Sequence, residues 1–420
     1  ILCGADGSSL NNITIRGSDT LDNNGIYITY SNNVNITNSN SSENEYGIYT
    51  RYSDNINIIN NTLNDNYYAL YISTSDNGNY FNNTMNSNEY GIRTDSSHDG
   101  HFENNTLEDN SNSIYLYWDI DDWIITDNDI QGGSLGIYMS SGSDNNRIVN
   151  NIINTSATNM YLYSSSKSFE ITNTSIINNT ITRASYGIQI RQYVVNTTLY
   201  SNRIFDTYTR GIYLQNNNRT TSDSDLFYDN ANDIYIDNTD SSPIIFEMVN
   251  ATFTDSTGLL QNYTTLDIND IVEAHTGYTI SWDSQPATLP SGYSIFENKF
   301  IDISHLTAGV SIDEINWTWT DADVTEYQEH LLHLWEYNTT NDWTLMNNTP
   351  DTTTNTLSLT DLNPASTYAI LEGGLITECQ TINQPGNYEL ANNLTDAGIA
   401  VTGITEITEA CLVILSSNVS

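Results

Sequence analysis

The densest group of chemically capable side chains is Trp118-Asp119-Ile120-Asp121-Asp122-Trp123. Three carboxylates between two indoles suit two chemistries. Carboxylate oxygens are ligands for Ca2+, the one cofactor the sequence suggests. Two carboxyl groups facing one cleft, roughly 5–9.5 Å apart, can also act on a glycosidic bond, with Trp rings as sugar platforms. The plainer reading is a solvated corner, expected somewhere in a chain with 52 Asp+Glu. Arg93 and Arg147 flank the group and would serve as base in a lyase-like site, but no motif surrounds them. No residue is assigned as catalytic. His98-Asp99-Gly100-His101 reads as a turn rather than a metal site. His330 and His333 are three apart and would point to opposite faces of a strand. Asp321, Asp323 and Glu326 resemble a Ca2+ loop and equally a solvated turn.

These residues must be positioned by a repeat. From Gly25 to Asn112 the chain runs through four 22-residue units without insertion: Gly25 to Tyr46, Gly47 to Tyr68, Ala69 to Tyr90 and Gly91 to Asn112. A fixed period in the low twenties is the mark of a solenoid. Apolar residues alternate at Ile26/Ile28, Ile48/Thr50, Leu70/Ile72 and Ile92/Thr94, which is strand spacing with one buried face. A second alternation follows at Val34/Ile36 and Ile56/Ile58, and more weakly around Phe81. The first strand recurs at Ile114, Ile137, Met160, Ile188, Ile212 and Ile234. Ten stacked copies predict a parallel β-helix on the order of 45 Å long, at ~4.8 Å per coil. The register places Tyr27, Tyr49, Tyr71, Tyr115, Tyr138, Tyr213 and Tyr235 in one outward column. It also aligns Asn38, Asn60, Asn82 and Asn104, and beside them Asn61, Asn83 and Asn105. The Tyr column is either a sugar-binding strip or ordinary packing on a sheet, and repetition alone accounts for it.

From about Pro243 the 22-residue frame is lost and longer alternating segments appear, such as Tyr278 to Trp282, Ile315 to Trp319 and Leu332 to Tyr337. The expected organisation is therefore all-β: a right-handed parallel β-helix at 1–244, an Ig-like β-sandwich at 245–373, and a capping module of a following β-helix at 374–420. With 11 Lys+Arg and a formal charge of −41, nucleic acid is a poor partner, because phosphate needs Lys and Arg. No stretch approaches the ~20 apolar residues of a membrane span.

Eighteen Asn-x-Ser/Thr sequons occur, which points to an extracellular glycoprotein. Asn60, Asn82, Asn104, Asn178, Asn250, Asn262, Asn316 and Asn338 are candidates for N-glycans. Crowding along a coil column favours the last four, which lie outside it. The three cysteines, Cys3, Cys379 and Cys411, leave one free or shared between chains.

The Gly-Ile-Tyr and Asn-Asn-Thr-Leu repeats resemble those of secreted archaeal and bacterial β-helix surface proteins, the group related to the nitrous oxide reductase accessory protein. Cys379, Pro385-Gly386-Asn387-Tyr388-Glu389-Leu390, Cys411 and the run to Ser420 are similar to the module that opens such helices. The resemblance implies a surface location and says little about activity, since fold does not fix function. It also implies a Cys379–Cys411 pair, with Cys3 free or linked across a junction, an alternative being Cys3 with either of them. In the family pattern, Ser420 would be followed by a segment like Ile1-Leu2-Cys3. The expectation is then a head-to-tail subunit or tandem repeat of a surface filament, sheath or coat. Its junction would use Ile1, Leu2 and Cys3 with Leu412, Val413, Ile414 and Leu415. The alternative is a polysaccharide lyase, hydrolase, epimerase or adhesin on the same scaffold.

Overall fold

The computed structural model describes residues 1–17, 23–255, 262–283, 288–290, 292–338, 342–376, 380–382, 388–390, 399–400, 409–410 and 412–414. Described secondary structure is strand, apart from two short 3-10 turns, Lys167–Phe169 and Glu329–Leu331. The chain divides into two compact units. The first is Ile1–Ala251 with Ile271–Gly277; the second is Thr252–Asp270 with Tyr278–Ser420.

The first unit is the expected solenoid. Its longest strands run from Asn24–Thr29 through Tyr46–Arg51, Tyr68–Ser73 and onward to Ile234–Asp237, each paired parallel with the next. The register is the one read from the repeat: Ile26 opposes Ile48, Ile48 opposes Leu70, and so on to Ile212 opposite Ile234. All ten anchor residues are buried, none more than 3% exposed. Leu2–Cys3 adds a further rung on Asn24–Thr29. Two columns of three-residue strands complete each coil. Ile36, Ile58, Tyr80, Phe102, Ile125, Ile148 and Ile176 stack inward in one. Met85, Leu107, Ile130, Ile153 and Ile181 do so in the other. The third coil corrects the sequence reading: Tyr80 faces the core, while Phe81 stays half-buried and meets His101 edge-on. Burying an apolar side chain of this size is worth about 1.5–3 kcal/mol, so this inward stripe holds the unit together.

The corners explain the Asn-Asn-Thr repeat. Asn60, Asn82, Asn104 and Asn178 have φ of 57°, 54°, 59° and 53°, the left-handed region that Asn tolerates better than other side chains. The turn this makes drives the following Asn inward. There Asn61 Oδ1 accepts from Ser39 N, Asn83 Oδ1 from Asn61 N, and Asn105 Oδ1 from Asn83 N. The ladder continues through Asn128, Asn151, Asn179 and Asn202 and ends on Asp225. A second ladder joins Asn44, Asn66, Asn88 and Asn110, and a third joins Ser31, Ser53, Ser75 and Ser97. Corner amides that three-residue strands leave unpaired are thus satisfied from the adjacent coil.

The second unit is built of antiparallel ladders. Tyr263–Val272, Ile312–Thr318 and Thr356–Leu362 form one. Gly277–Trp282, Ser294–His305, Ala365–Glu372, Leu332–Asn338 and Asp342–Asn347 form the other. Buried Trp317 of the first ladder lies 5.6 Å from buried Tyr368 of the second. Beyond these, Leu375–Ile376 pairs parallel with Glu389–Leu390, and Gln380–Ile382 with Leu412–Ile414.

Candidate functional site

The acid-and-indole stretch does not stay together. Trp123 is only 1% exposed. Its ring stacks on Tyr80 at 5.8 Å and its Nε1 donates to Ser97 O at 2.8 Å. It fills the space left by Gly100, where a Cβ would meet the indole at 2.2 Å. Trp123 is therefore a core residue and no sugar platform. Trp118 stays half-buried, with Phe169 at 4.4 Å.

The carboxylates divide as well. Asp119 and Asp121 converge with His98 of the preceding coil, all three offering an atom within 4.8 Å of the others; Asp122 is exposed and outside this group. The sequence alone makes His98 a turn residue. Its 23-residue spacing from Asp121, one coil, was the signal that places it there. The turn reading nevertheless explains the local chemistry. Asn32 N bonds Asp6 Oδ1, Asp76 N bonds Asp54 Oδ1, His98 N bonds Asp76 Oδ1 and Asp144 N bonds Asp121 Oδ1. In these four steps a side-chain oxygen of one coil caps the next coil's amide. Burial, with the charges of Asp144 and Asp119, pushes the Asp121 carboxyl up, against the Asp144 N–H bond and His98. His98 Nδ1 lies 3.5 Å from Asp121 Oδ2.

The outward Tyr column forms as expected and is wider. Tyr161 belongs to it, and a neighbouring column adds Tyr46, Tyr68 and Tyr90. Most rings stack along the coils, Tyr49–Tyr71 at 4.9 Å, Tyr115–Tyr138 at 4.8 Å and Tyr138–Tyr161 at 5.1 Å, while Tyr27–Tyr49 at 5.0 Å is tilted by 37° and Tyr213–Tyr235 at 5.5 Å is edge-on. Arg93 takes the Tyr position between Tyr71 and Tyr115. Its guanidinium sits 4.8–5.8 Å from five Tyr rings and donates to the Tyr68 hydroxyl. It is a stacking cation. Arg147 is exposed on the strand Arg147–Val149.

Elsewhere the candidates stay apart. His330 is exposed in a 3-10 turn while His333 is buried in the following strand, its imidazole held down to about 4 by burial. Asp321 accepts from Asn355 Nδ2, and Asp323 is engaged by Tyr263 and Lys299, so the two do not form a shared loop site. Asn60, Asn82, Asn104, Asn178 and Asn250 are exposed; Asn262, Asn316 and Asn338 are half-buried. Asn262 Nδ2 already donates to Asp255. Cys3 is exposed and unpaired among the described residues, and Ile1 is exposed with it. Cys379, Cys411 and Leu415 lie outside the described residues.

Residues 7–117 match the family described as periplasmic copper-binding protein (NosD), and residues 117–273 match the right-handed beta helix region. Residues 7–273 carry the repeats of the right-handed β-helix family. Among solved structures, this β-helix protein is similar to the Dettilon tailspike protein, at 13% identity and a TM-score of 0.39, over 89% of this chain and 81% of that one. It is also similar to the catalytic unit of a GH87 α-1,3-glucanase from Streptomyces thermodiastaticus, at 13% identity and a TM-score of 0.33, over 55% and 51% of the two chains. A third is PfbA, a surface adhesin of Streptococcus pneumoniae, at 12% identity and a TM-score of 0.28, over 66% and 76%. No curated protein matches the sequence. No described helix is long and apolar enough to cross a membrane.

Proposed function

We propose that this β-helix protein is an extracellular structural element, a stiff repeat of a surface coat, sheath or filament that associates head to tail. The observation that carries the reading is the fate of the repeated groups. Tyr ring faces cover one another, inward Asn amides bond the next coil, and turn carboxylates cap its backbone. A sugar platform needs a free ring face, and the Tyr column offers mainly edges and hydroxyls. In this reading residues 245–373 are a β-sandwich and residues 374–420 open a further helix. The parallel rungs at Gln380–Ile382 and Leu412–Ile414 support the latter. N-glycans on exposed sequons belong to the same proposal. Copper, which the NosD description carries, does not fit the described residues: one imidazole with two carboxylates suits a hard ion such as Ca2+ better.

A second reading, polysaccharide binding or cleavage, is favoured by one corner alone, where Trp118 and Phe169 stand beside His98, Asp119 and Asp121. Glycan-array binding and release of reducing ends from acidic and neutral polysaccharides separate the two. The structural reading expects neither. Binding or cleavage abolished by Trp118→Ala or Asp121→Asn, with the fold intact, would replace it.

A further inference from the structure

Lys299 is one of two lysines in the chain and its only Lys or Arg after Arg219. Its side chain is 0% exposed, and its Nζ has no hydrogen-bond partner among the described residues. A bulge puts it there. Ser294–His305 shifts register against Ala365–Glu372 between Ile295 and Phe300, and Glu297 and Asn298 both have φ of 48°. An unpaired residue re-aims the side chains after it. Here Lys299, Phe300 and Ile301 are buried in succession. Two non-glycine residues held at positive φ are a cost that the surrounding structure must impose. Asn298 Nδ2 anchors the bulge on Asn262 Oδ1.

The buried ammonium meets a prepared carboxyl group. Nζ lies 3.7 Å from Asp323 Oδ2 and 3.7 Å from the centre of the Tyr263 ring, with Phe296 on another side. Asp323 is held from both ends: Tyr263 OH donates to Oδ1 at 2.5 Å, and Thr320 N donates to Oδ2 at 2.8 Å. Its side chain is only 12% exposed.

We propose that Lys299 and Asp323 are joined by an intramolecular isopeptide bond. Charged partners withdrawn from water are expensive, which favours the neutral amine; burial also pushes the Asp323 carboxyl up, but Lys299, Tyr263 and Thr320 outweigh it and hold that carboxyl below its ordinary value. Burial, partly offset by Asp323 and Glu297, lowers the ammonium to about 8, which eases its loss of a proton, and the fixed contact at 3.7 Å puts the carboxylate in place to take it. One ammonium proton passes to Asp323 Oδ2. The Nζ lone pair attacks Cγ, and the C–N bond forms. Charge gathers on Oδ1, where the Tyr263 hydroxyl already donates. The C–Oδ2 bond then breaks, and Oδ2 takes a second proton from Nζ and leaves as water. Ammonium plus carboxylate thus gives amide plus water, with no other reactant. Fixed proximity supplies the effective concentration that such a condensation lacks in solution. The bond would tie the strand Ser294–His305 to the turn before Glu329, independently of how the solenoid assembles.

The test is the intact mass of the full chain, made in a host without N-glycosylation, folded and then denatured under reducing conditions. The expected mass is below that of the sequence by one water, about 18 Da. Lys299→Arg and Asp323→Ala should each return to the full sequence mass. Fragmentation should place a branch between the peptides carrying residues 299 and 323. Wild-type protein at full mass overturns the proposal whether or not the variants fold. So does a water loss that persists in both variants, because it then arises elsewhere.

Discussion

Asn105 shows how much one side chain does in this fold. Its Nδ2 donates to Tyr80 O, Glu103 O and Asn128 Oδ1, and its Oδ1 accepts the Asn83 backbone and side-chain N–H groups. Asn105→Ala leaves several buried groups without partners and should cost about 2–3 kcal/mol. Asn104→Ala, at the exposed left-handed position before it, should cost about 1 kcal/mol. Chemical denaturation of the two variants checks the contrast; equal losses would mean that the ladder adds nothing. Asp225 is the exception at the ladder's end. Burial raises its carboxyl to about 6, although Ser222 and Asn202 donate to it. A carboxyl raised above its unfolded value binds its proton more tightly when folded, so stability falls as pH rises from about 4 to about 6. Asp225→Asn should remove that slope and stabilise the protein at pH 7 by on the order of 1–3 kcal/mol. Melting curves across this pH range would show it; an unchanged slope would place the titration elsewhere. The sequence displayed the Asn column through its 22-residue spacing. It hid the Asp225 terminus, because the 28-residue step from Asn151 to Asn179 interrupts the period and the last rung is an Asp where the pattern shows Asn.

At the scale of the coil, the legible features were those that repeat. The ten strand anchors and the Tyr column follow from spacing alone, because a period-2 pattern at fixed intervals leaves one register that buries Ile26 through Ile234. What stayed illegible was which neighbour a single large residue would find. Trp123 looked like one of two flanking indoles, yet it turns inward because Gly100, one coil earlier, has no side chain to fill that space. His98 looked like a turn residue, and joins Asp119 and Asp121 only because coil stacking brings adjacent turns together. Gly100→Ala would drive a methyl against the buried indole and should destabilise by about 1–3 kcal/mol. Thermal unfolding followed by Trp fluorescence is the readout, and a neutral result would show the corner to be more pliable than its packing implies. The second unit was harder to read, since antiparallel ladders bring together residues with no fixed separation. Lys299 and Asp323 are 24 apart, and Lys299 is buried only because of the bulge at Glu297–Asn298, which no spacing rule announces.

For the whole molecule, the groups that repeat serve coil-to-coil cohesion, and the proposed surface scaffold would continue from one copy to the next. The −41 charge opposes close approach of copies, more so at low ionic strength, where exposed charges are least screened, so the proposed end contact should strengthen with salt. Electron microscopy of the purified full chain over a range of concentrations tests this most directly. The expected result is particles joined end to end into rods or filaments whose length grows with concentration. A population of single, separate particles at every concentration and salt level would contradict it.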